Sequence, residues 1–246
     1  MKESDAPISP GPERSSLRLS LTKQLLVSAL LLLLMAHPAS AQGVEHAFQW
    51  WQPIYLEAPV VNPKIRYYGE VNPRLNDNLQ GMNQLLLRTA LGYNLRKNLV
   101  FYQGYAYVGN FLPTYVYENR IYQQLGYGHV LRKRLQVLHR IRNEQRFFSN
   151  RDGVSDRMRY MLRLAYPIRD TSFYLVASDE LFINVNSLKG GPTTGIDQNR
   201  LYAGLGRQIN ERMRAEVGYQ LQYVNRDDPF DDRAAHVLMT QMFFNF

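Results

Sequence analysis

His236-Val237-Leu238-Met239-Thr240-Gln241-Met242-Phe243-Phe244-Asn245-Phe246 closes this chain with a strict alternation. His236, Leu238, Thr240, Met242, Phe244 and Phe246 are large or apolar residues on every second position. A period of two is the signature of a β-strand with two unlike faces. A strand that closes a transmembrane β-barrel sends alternate side chains into lipid and ends on an aromatic at the membrane boundary. The C-terminal strand of a soluble β-sandwich reads the same way in isolation, so the rest of the chain has to separate the two.

The other end supports export. Residues 25–36 form a short apolar run that includes five consecutive leucines, preceded by Arg14, Arg18 and Lys23 and followed by Ala39-Ser40-Ala41. Basic flank, apolar core and small-x-small site are the order of a secretory signal peptide. The run is shorter than the roughly 20 residues a membrane-spanning helix needs. Residues 1–41 are therefore expected to be a lead-in and cleaved signal peptide, with residues 42–246 as one β-domain. Beyond Ala41 no stretch reaches transmembrane-helix length, so membrane residence requires a closed barrel, the other structure that satisfies every backbone group in hydrocarbon.

Alternation continues between the two ends. Strand-like segments lie at residues 48–57, 64–74, 82–93, 99–111, 116–128, 135–148, 155–166, 173–184, 197–208, 213–225 and 235–246. About ten residues suffice for a tilted strand to cross a bilayer. The connections alternate too. Those at 94–98, 131–134, 167–172 and 209–212 are short, whereas 75–81, 112–115, 149–154, 185–196 and 226–234 are longer or more loop-like. Short periplasmic turns facing longer extracellular loops is the asymmetry of an outer-membrane barrel. The expected fold is an all-β antiparallel transmembrane barrel of 10–12 strands. Ten and twelve strands both remain open, because the segment carrying Trp50-Trp51 has no assigned place; it reads as a partial strand, a piece packed in the lumen, or half of an undivided hairpin. The loop containing Ser187 to Pro192 is expected to project outward without regular structure.

The alternation also assigns faces. In 213–225, Met213, Ala215, Val217, Tyr219, Leu221 and Tyr223 oppose Arg214, Glu216, Gly218, Gln220 and Gln222. A charge facing lipid at mid-depth costs about 2–4 kcal/mol, so the charged set must face the lumen. The same rule sends Glu70, Arg88, Glu118, Arg120, Arg140, Arg142, Glu144, Arg146, Arg157, Arg159, Arg163, Glu180, Arg200, Arg214 and Glu216 inward. Arginines in surplus in a narrow lumen must be paired or hydrated. The glutamates are the natural partners, since a guanidinium fork bridges two acceptors. This ladder reads either as an anion-selective lining or as ion pairs that replace an apolar core; barrels near ten strands lie close to the filled end of the size range, and the structural reading is favoured.

Three blocks carry a family resemblance: Glu70-Val71-Asn72-Pro73-Arg74, Arg140-Ile141-Arg142-Asn143-Glu144-Gln145-Arg146, and Asp197-Gln198-Asn199-Arg200-Leu201-Tyr202-Ala203-Gly204-Leu205-Gly206. They resemble an uncharacterised family of bacterial outer-membrane proteins, domain of unknown function 2490 (DUF2490). The resemblance spans most of the chain beyond Ala41 and implies an exported barrel. It brings no activity, substrate or catalytic residue.

Chemistry is sparse. There is no cysteine, which removes thiolate nucleophiles, thiolate metal sites and disulfides. Some outer-membrane barrels hydrolyse lipids, and Ser155, His236 and a nearby Asp (Asp152 or Asp156) are the candidate triad; Ser149 also borders that loop. No Gly-x-Ser-x-Gly elbow supports it. Asp227, Asp228, Asp231 and Asp232 form an acidic loop able in principle to hold Ca²⁺, but without EF-hand spacing; a solvated loop is favoured. The charge is +8 and Tyr numbers 17. Alternating Arg near Glu does not make a phosphate-binding face, so nucleic acid is not expected; tyrosines suit interfacial girdles.

The expectation is thus an outer-membrane barrel, non-enzymatic, structural or a narrow pore. Its partners would be outer-membrane lipid, lipopolysaccharide and, through the last strand and Phe246 as assembly signal, the barrel-assembly machinery. No cofactor or metal is implied. A lipid-modifying hydrolase and a soluble periplasmic β-protein are the alternatives.

Overall fold

The computed structural model describes residues 43–60, 62–75, 81–226 and 231–246. The signal-peptide reading of residues 1–41 and Asp227 and Asp228 of the acidic loop lie outside them.

Among the described residues every regular element is a strand: β1 (Val44–Trp51), β2 (Ile54–Pro59), β3 (Ile65–Leu75), β4 (Met82–Arg96), β5 (Leu99–Asn110), β6 (Val116–Leu131), β7 (Leu135–Phe148), β8 (Ser155–Pro167), β9 (Phe173–Asn184), β10 (Gly195–Gln208), β11 (Met213–Val224) and β12 (Asp232–Asn245). From β2 to β12 each pairs antiparallel with the next, and the sheet closes where β1 and β2 meet β12.

The unplaced Trp50-Trp51 segment is the closing element. β1 and β2 are halves of one stave. Val44 faces Asp232 and Trp51 faces Met239, then Ile54 faces Met242 and Glu57 faces Asn245, a constant offset. On the other edge Trp51 faces Arg74 and Ile54 faces Val71, again without slippage. Pro53 splits the stave because it has no N–H to give. Its neighbours keep the ladder: Gln52 N donates to the Pro73 carbonyl at 3.1 Å, and Met242 N to the Pro53 carbonyl at 3.0 Å.

The barrel therefore has eleven staves. An up-and-down meander with an odd number of staves must bring its first and last together parallel, and the β1/β2 ladder with β12 is parallel. The count falls between the two the sequence left open, and the wall is antiparallel everywhere except this seam. An odd number departs from the even counts usual in bacterial barrels.

Short connections lie on one end, called here the turn side, and longer ones on the opposite loop side. The loop 185–194 has no regular secondary structure, yet it is tied down. Asn186 Nδ2 donates to the Val154 carbonyl at 2.8 Å, Asp156 N donates to Asn186 Oδ1 at 2.7 Å, and Leu188 N closes a turn on the Pro192 carbonyl at 2.9 Å. The loop has no regular structure, as expected, and is held to 149–156 by the Asn186 side chain and by Val185 N, which donates to the Asp156 carbonyl at 2.8 Å.

Outward faces are apolar. Leu91 is 60% exposed and Val217 50%, joined by Ile121, Ile141, Leu175, Leu205 and Leu238. Tyrosines such as Tyr93, Tyr127, Tyr160 and Tyr166 share that face. On the inner face, tyrosine rings lie across glycines of the next strand. Gly92 is the register partner of Tyr102, Gly104 of Tyr122, and Gly206 of Tyr174. In each pair the ring occupies the space a Cβ would need.

Candidate functional site in the barrel lumen

The interior is built from charge. Glu144 on β7 is its densest node: Arg157 Nη2 approaches at 2.8 Å, Arg159 Nη1 at 2.5 Å, Arg142 at 3.5 Å and Arg120 at 3.8 Å. Both Glu144 and Arg142 are 1% exposed. Arg159 passes on to Glu180, its Nη2 at 2.7 Å, and Glu180 also accepts from Arg140 at 2.6 Å. Arg157 reaches Asp197 at 2.8 Å. Glu118 takes two bonds from Arg120, at 2.8 and 2.7 Å, and one from Arg146 at 2.5 Å. Glu118, Glu144, Glu180 and Asp197 are thus joined through shared guanidiniums into one network.

Further pairs lie around it. Glu70 pairs with Arg88 and accepts the Tyr68 hydroxyl at 2.7 Å. Glu216 pairs with Arg163 and accepts the Tyr174 hydroxyl at 2.7 Å. Glu57 accepts from Arg66 at 3.1 Å and from Tyr102 at 3.2 Å. Several of these join strands that are not neighbours in the wall: Arg140 on β7 with Glu180 on β9, Tyr102 on β5 with Glu57 on β2, Arg163 on β8 with Glu216 on β11. Such bonds can only cross the interior. A buried ion pair recovers its desolvation cost only when its geometry is good and its remaining donors and lone pairs are used; Glu118, Glu144 and Glu180 each serve two or more guanidiniums, while Arg88 Nε, Arg140 Nε, Arg142 Nη1, Arg146 Nη1 and Glu216 Oε2 are buried without a hydrogen-bond partner.

Three arginines stand apart. Arg74 lies with Cζ 3.7 Å over the Trp51 ring, and its Nη1 donates to Gln84. Arg200 lies 5.0 Å from the same ring and 4.7 Å from Phe182. Arg214 lies 4.3 Å from Phe243. None has a carboxylate within salt-bridge distance among the described residues; each lies on an aromatic face, a contact worth about 2 kcal/mol when desolvated, which offsets part of the cost of burial without supplying a counter-charge.

Glu70, Arg88, Glu118, Arg120, Arg140, Arg142, Glu144, Arg157, Arg159, Arg163, Glu180, Arg200, Arg214 and Glu216 all belong to this interior. Arg74, Glu57 and Asp197 are members that sequence reasoning did not single out. Arg74 shares the parity of Glu70 and was within reach of the alternation rule. Asp197 was not: the β9–β10 register shifts between Ile196 and Gln198, and this bulge sets the strict two-residue parity aside at Asp197.

The hydrolase constellation does not assemble. Ser155 is fully buried on the lumen side, sharing parity with Arg157 and Arg159. His236 points outward, hydrogen-bonded to the Tyr219 hydroxyl at 2.7 Å and to His46 at 3.0 Å. The barrel wall separates nucleophile from base. Ser149 Oγ accepts from Tyr117 N at 3.0 Å. His129 and His139 stack on the exterior at 5.5 Å, with His139 bonded to Tyr160 at 2.9 Å. Asp232 caps its loop, accepting from the Tyr223 hydroxyl at 2.6 Å and from Arg226 N at 2.9 Å. Among the described residues no three carboxylates or histidines gather as a metal site.

The two halves of the lumen differ. Toward the loops lies the Glu118–Glu144–Asp197 network. Toward the turns there is a cavity of about 580 Å³, running from Trp51 and Arg200 to Asn94, Lys97, Asn98 and Asn245 at the rim. A second cavity of about 570 Å³ shares Asn98, Leu138, Arg163 and Arg214 with it. The arginine surplus among the residues lining the first cavity favours an anion.

A family model described as a protein of unknown function, DUF2490, matches residues 48–233. An uncharacterized protein of Methylorubrum extorquens is 30% identical over 227 residues, covering 91% of this chain and 98% of that relative. No solved structure matches.

Proposed function

The chain belongs to the DUF2490 family, whose function is unknown, and on that premise we propose that it is a bacterial outer-membrane β-barrel, exported by a cleaved signal peptide and closed to free ion flow. The observation that carries this reading is the segregation across the wall. Apolar side chains cover the outside of a closed barrel, while ion pairs cross its inside. A soluble protein gains nothing from an exposed band that includes Leu91, Ile121, Leu175 and Val217; in lipid that band is solvated and the closed ladder leaves no backbone edge unpaired. The network around Glu144 argues for a blocked bore: Arg142, Glu144 and Arg157 stand where a channel would need water. At the seam, Phe246 N donates to the Glu57 carbonyl at 2.9 Å.

The test has two parts. Cells expressing the chain are fractionated, and unboiled and boiled samples are compared on detergent gels. Recovery with outer membranes, with heat-dependent mobility, is the expected result; a protein released with the soluble periplasm overturns the membrane reading. The purified protein is then placed in a planar bilayer. A silent bilayer is expected, and steady conductance steps overturn the blocked bore.

A further inference from the structure

We propose that the turn-side cavity is a binding site for a small soluble organic phosphate, with Arg74 and Arg200, stacked on Trp51, as its anion-holding residues. The inference rests on the reading of the lumen as closed toward the loops, so that the cavity has one mouth.

The first reason is a shortage of negative charge. Nine arginines and Lys97 line the cavity against only Glu57, Glu70 and Glu180. The nearest carboxylates are already committed. Glu70 holds Arg88, Tyr68 and Asn72. Glu180 holds Arg140 and Arg159. Arg200 makes no hydrogen bond or ion pair among the described residues, and its Nε is buried without a partner, as is that of Arg74. A guanidinium cannot shed its charge at any ordinary pH. Two cations on one indole therefore lack a counter-charge that the protein does not provide, and a bound anion would provide it.

The second reason is shape. A guanidinium presents paired N–H donors in a plane and binds phosphate oxygens two at a time. Arg74 comes from β3 and Arg200 from β10, so two forks from separate staves meet beside one indole and can reach different oxygens of one anion. The volume of about 580 Å³ exceeds a bare phosphate and falls within the range of small-molecule sites. Tyr55, Tyr68, Tyr102, Tyr202 and Phe243 line the remainder, and such walls take an organic moiety carried by the phosphate. The mouth is polar, with Asn94, Lys97, Asn98 and Asn245, which suits a solute arriving through water over an acyl chain arriving from lipid.

Trp51 reports on this site directly. The chain has two tryptophans, and Trp50 is on the other face, bonded to Thr240 at 2.9 Å. The Trp50→Phe protein in detergent is titrated with inorganic pyrophosphate, against sodium chloride of equal ionic strength. A saturable change in Trp51 fluorescence beyond the chloride control is expected. It should weaken at least tenfold in Arg200→Gln and in Arg74→Gln, and persist in Lys189→Gln, whose charge lies in an exposed loop. Heat-dependent gel mobility verifies that each variant is folded; should Trp50→Phe not fold, calorimetric titration of the unaltered protein replaces fluorescence. No saturation beyond chloride, or equal saturation in both arginine variants, overturns the proposal. A parallel titration with dihexanoyl phosphatidate separates the sources: saturation by the lipid and none by pyrophosphate overturns the assignment to a soluble phosphate. The readout is independent of localisation and conductance, so its failure is distinct from failure of the membrane or blocked-bore reading.

Discussion

Trp51 stands opposite Met239 in a parallel ladder, and three residues on, past Pro53, Ile54 stands opposite Met242 at the same offset. The first stave thus crosses its proline without changing register, and the barrel closes on one continuous seam. Because the chain has no cysteine, that seam is open to a clean cross-linking test. Trp50 and Leu238 are register partners. A Trp50→Cys/Leu238→Cys protein should oxidise to an intramolecular disulfide, seen as a mobility shift that thiols reverse. Neighbouring strands lie about 4.8 Å apart, close to what a disulfide bridges. Phe48→Cys/Leu238→Cys, displaced by two residues or about 6–7 Å along the strand, should stay reduced. Equal bridging in both proteins would refute the register.

The Glu144 node predicts an asymmetry among carboxylates. Glu144→Gln removes the negative charge that Arg157 and Arg159 share while leaving both buried. Breaking such a node from one side costs about 3–5 kcal/mol. Glu45→Gln, at an exposed pair with Arg226, should cost about 1 kcal/mol or less. Urea unfolding in detergent, followed by loss of heat-dependent mobility, measures both. Similar midpoints for the two variants would mean that the lumen is hydrated enough to screen its own charges.

Much of this architecture was legible in the sequence because antiparallel neighbours are local. Alternation located the strands and told Arg157 from Met158, since one residue's shift reverses every face. The seam was not legible. Parallel pairing of the first and last staves spans the whole chain and needs no connecting turn, so no motif marks it. Within the lumen, the sequence told which side chains point inward but not which meet. Arg163 finds Glu216 three staves away, a partnership set by barrel curvature. Ser155 and His236 show the same limit from the other side: suitable as a list, they fail as geometry because their parities put them on opposite faces.

Packing of tyrosine on glycine gives a third prediction. The Tyr122 ring occupies the position a Cβ on Gly104 would take, and Tyr122 is 1% exposed. Gly104→Ala should therefore destabilise by about 1–3 kcal/mol, the usual cost of overpacking. Removing the ring should remove most of that cost: the Gly104→Ala/Tyr122→Val protein is expected to be little less stable than Tyr122→Val alone. Additive losses in this cycle would show that the two positions are not in contact.

The outward face yields the prediction that separates lipid from water. Val217 is half exposed near the middle of β11, with Leu205 and Thr240 as its register partners on either side. In a bilayer, Val217→Arg places a cation at mid-depth and should lower folding stability by about 2–4 kcal/mol. In water the same substitution on an exposed strand face costs within about 0.5 kcal/mol. Refolding into liposomes, with the folded fraction read from heat-dependent mobility across a urea series, gives the difference. Asn225→Arg, at the loop-side end of that strand, is the depth control, since the penalty falls to about 0–1 kcal/mol near the interface. A large loss for Val217→Arg and a small one for Asn225→Arg is the gradient a membrane imposes. Equal small losses at both depths would place this face in water, and the membrane reading would fall with them.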